Sequence, residues 1–291
     1  MATAREFRLR IRSINNISQV TRALQTISAS RVRKAQEAVL RSRPYASKAL
    51  EILQHLSAIP EGRHVHPLLA QSPEGGRSLV ILITSDRGLA GAYNANVLRL
   101  ALDRFKGEES FISIGRKGRD LLIRLGKNLV GEFSSLPADV SFMDVSAIGQ
   151  LAIEEFTKEE FDRVFIVYTD YINLLRQEPM VKQFLPLQLE TVGDPVTGES
   201  APPASYIYEP GQRELIDRVL GRFIQLQLYE AVLESLASEH AARMVAMQNA
   251  TDNALEFSAA LTLEYNKARQ LAVTSDMLDI VGGAEALSGG R

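Results

Sequence analysis

The chain has 291 residues, 45% hydrophobic and 23% charged, with a formal net charge of −2; that balance suits one large globular domain or two smaller ones. It has no cysteine, which excludes disulfides, zinc–thiolate sites and a thiol nucleophile. A near-neutral total argues against wholesale nucleic-acid binding, and no apolar run approaches the roughly 20 residues that span a bilayer, so a soluble, cytoplasmic protein is expected.

Residues 3–59 read as one long helix. Phe7, Ile11, Ile14, Ser18, Thr21, Gln25, Ser28, Val32, Ala35 and Val39 alternate at spacings of four and three, the seam of a helix lying along a partner. Several seam residues are small or polar, which predicts close contact without a strong zipper. Pro44 lacks a backbone donor and clashes with the preceding turn, so a kink is expected near Arg43. Pro60, Gly62 and Pro67 are expected to end the element. Residues 1–50 hold eleven Arg or Lys against Glu6 and Glu37 alone. One end of the protein therefore meets something acidic or presents a heavily solvated face.

The stretch 75–210 has a different texture. A buried-looking strand at 79–84 leads through the loop 85–91 into a helix at 93–105. A strand at 111–114 and a helix through Leu125 follow, then a helix at 145–160 and a strand at 163–168. Further strands are expected at 180–189 and 206–208, and residues 193–203, rich in Gly, Pro and Ser, read as a loop. Strands alternating with helices predict a mostly parallel, Rossmann-like α/β layer.

The last segment is a longer helix. No proline follows Pro210, and Gly221 is the only glycine from Glu214 to Val281. Leu233, Ala237, His240, Met244, Met247, Thr251, Ala254, Ser258, Leu261, Tyr265, Ala268 and Ala272 keep the seam spacing. At about 1.5 Å per residue, seventy helical residues reach roughly 100 Å, more than a compact domain of this size can hold. The fold class is therefore α/β: an antiparallel coiled coil of the N- and C-terminal helices plus the α/β domain. The expected divisions are 1–74, 75–210 and 211–291.

Little in the chain points to bond chemistry. The loop 85–91 joins a strand to a helix, where phosphates often bind. Its glycines, Gly88 and Gly91, match neither a P-loop nor the dinucleotide fingerprint, so a structural turn is favoured over a nucleotide site. His64 and His66 lie beside Pro67 in a polar connection with no carboxylate partner at helical spacing, which disfavours a metal. His240 sits on the helix seam and reads as packed. No catalytic residue, metal or cofactor is expected.

Particular blocks resemble the γ subunit family of rotary F-type ATP synthases. They are 5–16, Thr21-Arg22-Ala23-Leu24, 29–35, 42–45, the loop 84–94, Leu236-Ala237-Ser238-Glu239-His240-Ala241-Ala242-Arg243-Met244-Val245-Ala246-Met247, 250–254, 265–270 and 280–284. They occur in order over nearly the whole chain. The resemblance implies a non-catalytic central shaft that couples proton- or sodium-driven rotation of a membrane ring to ATP synthesis or hydrolysis. Its asymmetry would hold three β subunits in different nucleotide states. Implied partners are the α and β subunits of the catalytic head, the ε subunit and the c-ring, at the cytoplasmic face of the cell membrane.

The resemblance carries roles onto named positions. Arg8, Leu24, Arg31, Arg33, Lys34, Arg243, Arg269, Gln270, Thr274 and Asp276 match head-contacting positions. Tyr206, Tyr208 and Glu209 match the region that meets ε and the c-ring. Two positions depart from the family pattern: Leu24 stands where methionine is usual, a volume-conserving change, and Asp276 replaces a longer glutamate. The plain alternative for each position is ordinary helix surface or, for the tyrosines, closure of the sheet. Two other functions stay open: a small-molecule enzyme built on the α/β domain, and a scaffold that homodimerises through its seams.

Overall fold

The computed structural model describes residues 4–58, 67–69, 76–137, 139–188 and 212–288, with residues 43, 54–58, 212–218 and 285–288 described by backbone alone. The expected chain break at Pro60 and Gly62, the two histidines before Pro67, the loop at 193–203 and the strand at 206–208 lie outside these residues. Packing divides the chain into two units, one formed by Met1–Ser28 with Met244–Arg291 and the other by Ala29–Arg243.

The first unit is a pair of helices. It takes the N-terminal part of α1 (Ala4–Ala58) and the C-terminal part of α5 (Gln212–Ser288). Thr21 Oγ1 lies 2.6 Å from Thr251 Oγ1, and Ser258 Oγ donates to Asn15 Oδ1 at 2.8 Å. Contacts that descend one helix as they climb the other make the pair antiparallel. Ser18, Thr21, Ser28, Met247 and Thr251 are buried here, and Phe7, Ile11, Ile14, Gln25, Met244, Ala254, Ser258, Leu261, Tyr265 and Ala268 are half-buried. The expected seam is thus the covered side of both helices, with one exception: Ala272 is exposed, as is every residue from 269 to 284.

The second unit is built on a five-stranded sheet in the order β3-β2-β1-β4-β5. Its strands are β1 (Ser78–Ile83), β2 (Ser110–Ile114), β3 (Asn128–Phe133), β4 (Arg163–Tyr171) and β5 (Gln177–Leu185). The first four are mutually parallel and β5 runs antiparallel to β4. Helices α2 (Tyr93–Arg104), α3 (Arg116–Arg124) and α4 (Phe142–Thr157) connect them. From Leu79 to Ile83, β1 is apolar because both faces are covered. Leu79, Ile81 and Ile83 pack with Ile112, Ile114, Val164 and Ile166 toward residues of α1, α4 and α5, among them Leu53, Ile148, Phe223 and Leu228. Val80 and Leu82 face Val97, Phe105, Phe111 and Leu122 on the other side. In this unit the seam residues Val32, Ala35 and Val39 of α1 and Leu233, Ala237 and His240 of α5 are buried.

Some elements differ from expectation for identifiable reasons. β3 was not foreseen: its sequence is cut by Gly131, and its residues are only partly covered, so it has no apolar run. At Gly131 an added Cβ would come within 3.0 Å of Leu151 Cδ2. α4 starts at Phe142 rather than at residue 145, because Asp144 caps it and accepts the Ser141 N–H at 2.8 Å. It ends at Thr157, before Glu159, which holds a left-handed φ of 58°. β5 begins at Gln177 rather than Met180. It carries Pro179 opposite Thr169, which only an edge strand tolerates, and it stops before Pro186, which has no N–H to donate. Helix α1 continues through Pro44.

Candidate functional site

The carboxyl edge of the sheet is the place in this fold where a ligand would bind. The order β3-β2-β1-β4 reverses direction on either side of β1, and α/β sheets bind ligands at that kind of switch point. Here the 84–92 loop closes it. Ser85 donates its N–H to Asn94 Oδ1 at 3.0 Å and its hydroxyl to the Arg87 carbonyl at 2.6 Å. The carboxylate of Asp86 accepts the backbone N–H of Arg116 at 3.1 Å and of Ser135 at 2.9 Å. It also pairs with the Arg116 guanidinium at 3.6 Å.

The next two N–H groups of α3 are spent as well. Lys117 donates to the Ser85 carbonyl at 3.1 Å, and Gly118 to Thr84 Oγ1 at 2.9 Å. The helix N-terminus that would cradle a phosphate is therefore filled by this chain's own carboxylate and loop. Gly115, at φ 94°, brings the backbones together: a Cβ there would lie 2.2 Å from the Thr84 carbonyl oxygen. Beside this loop is an open hollow of about 300 Å³ lined by Arg31, Asp86, Arg87, Glu239, His240 and Arg243 among others.

α5 clamps the loop from the far side. Arg243 pairs with Glu239 at 2.7 Å, and its guanidinium donates to the carbonyls of Gly88 at 3.3 Å and Arg87 at 3.4 Å. Another of its nitrogens lies 3.2 Å from His240 Nδ1. Because an arginine can only donate, that ring nitrogen accepts and the histidine proton sits on Nε2. Burial, with Arg243 and Arg31 adding to it, pushes the His240 pKa down to about 3, so the ring is neutral at physiological pH. Burial pushes the Glu239 carboxyl upward, and the Arg243 guanidinium opposes that shift.

The positions singled out for head contacts fall into two groups. Arg8, Arg31, Arg33, Lys34, Arg269, Gln270, Thr274 and Asp276 are exposed on their helices, and Leu24 is half-buried. Lys34 forms a surface pair with Asp139 at 3.3 Å, and the Thr274 hydroxyl is turned back to the Gln270 carbonyl at 2.9 Å. Arg243 is different. Its side chain is only 11% exposed and is committed within the chain, which favours the plain packing reading there. Tyr206, Tyr208 and Glu209 lie outside the described residues.

Several residues of this region escaped sequence reasoning. Asp86 anchors two turns, and Tyr93 shares a hydrogen bond with Ser235 of α5, but neither role has a local signal. Glu239 and Arg243 were readable, since an acid four residues before a base is the favourable helical order. Among the described residues no group of three or more His, Cys, Asp or Glu could hold a metal, and no helix is long and apolar enough to cross a membrane.

Comparisons with known proteins agree with this geometry. A family model described as ATP synthase matches residues 3–287. The chain is 42% identical over 295 residues to the ATP synthase gamma chain of Roseiflexus sp. (strain RS-1), covering 99% of each. The fold resembles that of a chain in the Euglena gracilis mitochondrial ATP synthase OSCP/F1/c-ring structure, rotational state 3, with a TM-score of 0.68 and 21% identity, covering 99% of this chain and 95% of that one. A second chain, from the rotor of the same synthase in rotational state 1, gives 0.63 at 20% identity, covering 93% and 98%. With two fifths of its residues shared along the full length of a curated relative, the chain belongs to the family of ATP synthase gamma chains.

Proposed function

We propose that this chain is the central rotor shaft of an F-type ATP synthase, turning inside a head of α and β subunits and coupling ion-driven rotation of a membrane ring to ATP synthesis or hydrolysis. The observation that carries this reading is the end of α5. From 269 to 284 every side chain is exposed, and the row includes Leu271, Val273, Met277, Leu278, Ile280 and Val281, each 54% to 73% accessible. So much apolar helix surface calls for a partner, and an enclosing ring of subunits supplies one that does not fix a single angle. A shaft also needs no catalytic machinery of its own; the bond chemistry belongs to the β subunits.

In this reading the exposed cations of α1 (Arg8, Arg31, Arg33 and Lys34) meet acidic loops of the β subunits. Exposed pairs of that kind contribute at most about 1 kcal/mol each and can break and re-form as the shaft turns. Leu24, Arg269, Gln270, Thr274 and Asp276 contact the head at successive angles. The α/β domain, 75–210, is the foot, where Tyr206, Tyr208 and Glu209 engage ε and the c-ring. The chain is held at the cytoplasmic face of the membrane through the complex. Coupling is then a difference in contact free energy between rotor angles.

The test is ATP hydrolysis by cognate α and β subunits purified with and without this chain. The reading expects one copy of it per three α and three β, with sustained hydrolysis only in its presence. Exchanging Arg269 and Gln270 for alanine should then lower the rate without dissociating the complex. A chain that neither joins the head nor changes its rate would overturn the assignment.

A further inference from the structure

Inside the second unit, α5 is joined to the α/β fold by more than apolar packing. Four of its side chains reach out to four different places. Tyr229 donates to the carbonyl of Val140, just before α4, at 3.2 Å. Ser235 Oγ lies 2.7 Å from the hydroxyl of Tyr93 at the start of α2. Ser238 donates to the carbonyl of Thr169 in β4 at 3.2 Å. Arg243 holds the carbonyls of Arg87 and Gly88 after β1. Ser235 and Ser238 are fully buried, and Tyr93 and Thr169 nearly so.

Adhesion alone does not call for this arrangement. Leu228, Ala231, Val232 and Leu233 already bury the same stretch, and buried polar groups add little net stability over apolar ones of the same shape. Direction is what they add. Apolar contact is non-directional and is lost gradually as a helix turns, whereas a hydrogen bond weakens steeply with misalignment. At about 100° per residue, the four side chains fan over roughly half of the helix circumference, and at 1.5 Å per residue they span about 21 Å of its length. Rotation of α5 in either sense stretches some of them.

We propose that this fan of hydrogen bonds is a torsional key, fixing α5 in rotation against the α/β domain so that torque passes between helix and sheet without slip. Tyr93, Ser235 and Ser238 are in this sense positioning residues for the coupling. The proposal rests on the rotor reading.

The experiment uses the complex of α and β subunits with the full chain, fixed by its head to a surface, with a magnetic bead on the α/β domain. The variants are Tyr93→Phe with Ser235→Ala, which removes both partners of one buried bond, and separately Ser238→Ala. Both are expected to hydrolyse ATP within about twofold of the parent when unloaded. Under magnetic torque, the double variant should twist at least twofold further per unit torque and slip at a lower opposing torque, and Ser238→Ala should do so to a smaller extent. Equal compliance in parent and both variants overturns the proposal. So does a loss of hydrolysis that tracks lower assembly with unchanged compliance, because that is what a merely structural role produces. If the parent complex itself fails to turn the bead with ATP, the rotor reading falls, a result distinct from either.

Discussion

The helix pair and the α/β domain are held together in opposite ways. The domain buries large apolar side chains completely, with Leu79, Val80, Ile81, Leu82, Phe111 and Phe184 all at 0% exposure. Apart from Met247, the described residues buried in the helix pair are polar, namely Ser18, Thr21, Ser28 and Thr251, and most of its outer surface is open. Burial at about 25 cal/mol per Å² of apolar area therefore stabilises the sheet far more than the seam. The seam instead gives close approach of two backbones and leaves the outside of each helix for weak contacts. A domain that must hold its shape is filled with apolar volume, and a surface that must pass from contact to contact is not.

Core truncation should separate the two regions most sharply. Ile81→Ala is expected to cost about 3 to 4 kcal/mol, within the usual range for a buried isoleucine, read as faster hydrogen exchange of the β1 amides. If β1 exchange is unmoved, the sheet is not the rigid part of the molecule.

Acid should attack the domain through His240. Its folded pKa of about 3 lies below the ordinary 6.5, so the unfolded chain takes up the proton first. The stability it supports is complete above pH 6.5 and falls as pH drops toward 3, by about 1.4 kcal/mol per unit. In urea denaturation, the parent should lose about 2 kcal/mol more than His240→Gln between pH 7 and pH 5. An unchanged slope in the variant would mean that other groups carry the acid sensitivity.

A carboxylate of α5 beside β4 and β5 works in the reverse sense. Burial pushes Glu234 up to about 6, with Asp170 and Glu230 adding to the shift and the Tyr168 hydroxyl and Lys182 opposing it. Its folded pKa is raised, so the domain is most stable with the proton on and loses that stability as pH rises through 6. Glu234→Gln should stabilise by up to about 2 kcal/mol at pH 8 and change nothing at pH 4.5. Thermal melts at the two pH values check this.

The smallest effect is expected in the helix pair. Thr21 and Thr251 touch at 2.6 Å, yet each hydroxyl also has a carbonyl of its own helix, Ser18 at 3.1 Å and Met247 at 2.8 Å. Thr21→Val should cost less than about 1 kcal/mol, measured by hydrogen exchange of α5 around residue 251. A cost rivalling that of Ile81→Ala would overturn the comparison between the two regions.

What was legible from sequence follows from local period. The four–three alternation named the covered side of α1 from Phe7 to Val39, and of α5 from Leu233 to Ala268, because a helix repeats its facing residues regardless of what covers them. The apolar run at 79–84 likewise announced a strand covered on both faces. Order of contact was not legible. The placement of β3 at one edge and the reversal of β5 at the other depend on pairings between distant segments. The same holds for the site: the resemblance named Arg269, Gln270, Thr274 and Asp276, but the seam spacing had put Ala272 on the covered side, and neither signal foretold the withdrawal of Arg243 into a clamp on Gly88.

The sequence by itself determined which residues are helical, which faces are apolar and which family the chain resembles, since these depend on spacing along the chain. Only the tertiary structure decided that Asp86 fills the anion position of its own sheet and that α5 is keyed at Val140, Tyr93, Thr169 and Gly88. Those partners lie from 69 to 155 residues away in sequence, and a hydrogen bond is defined by the geometry that folding creates.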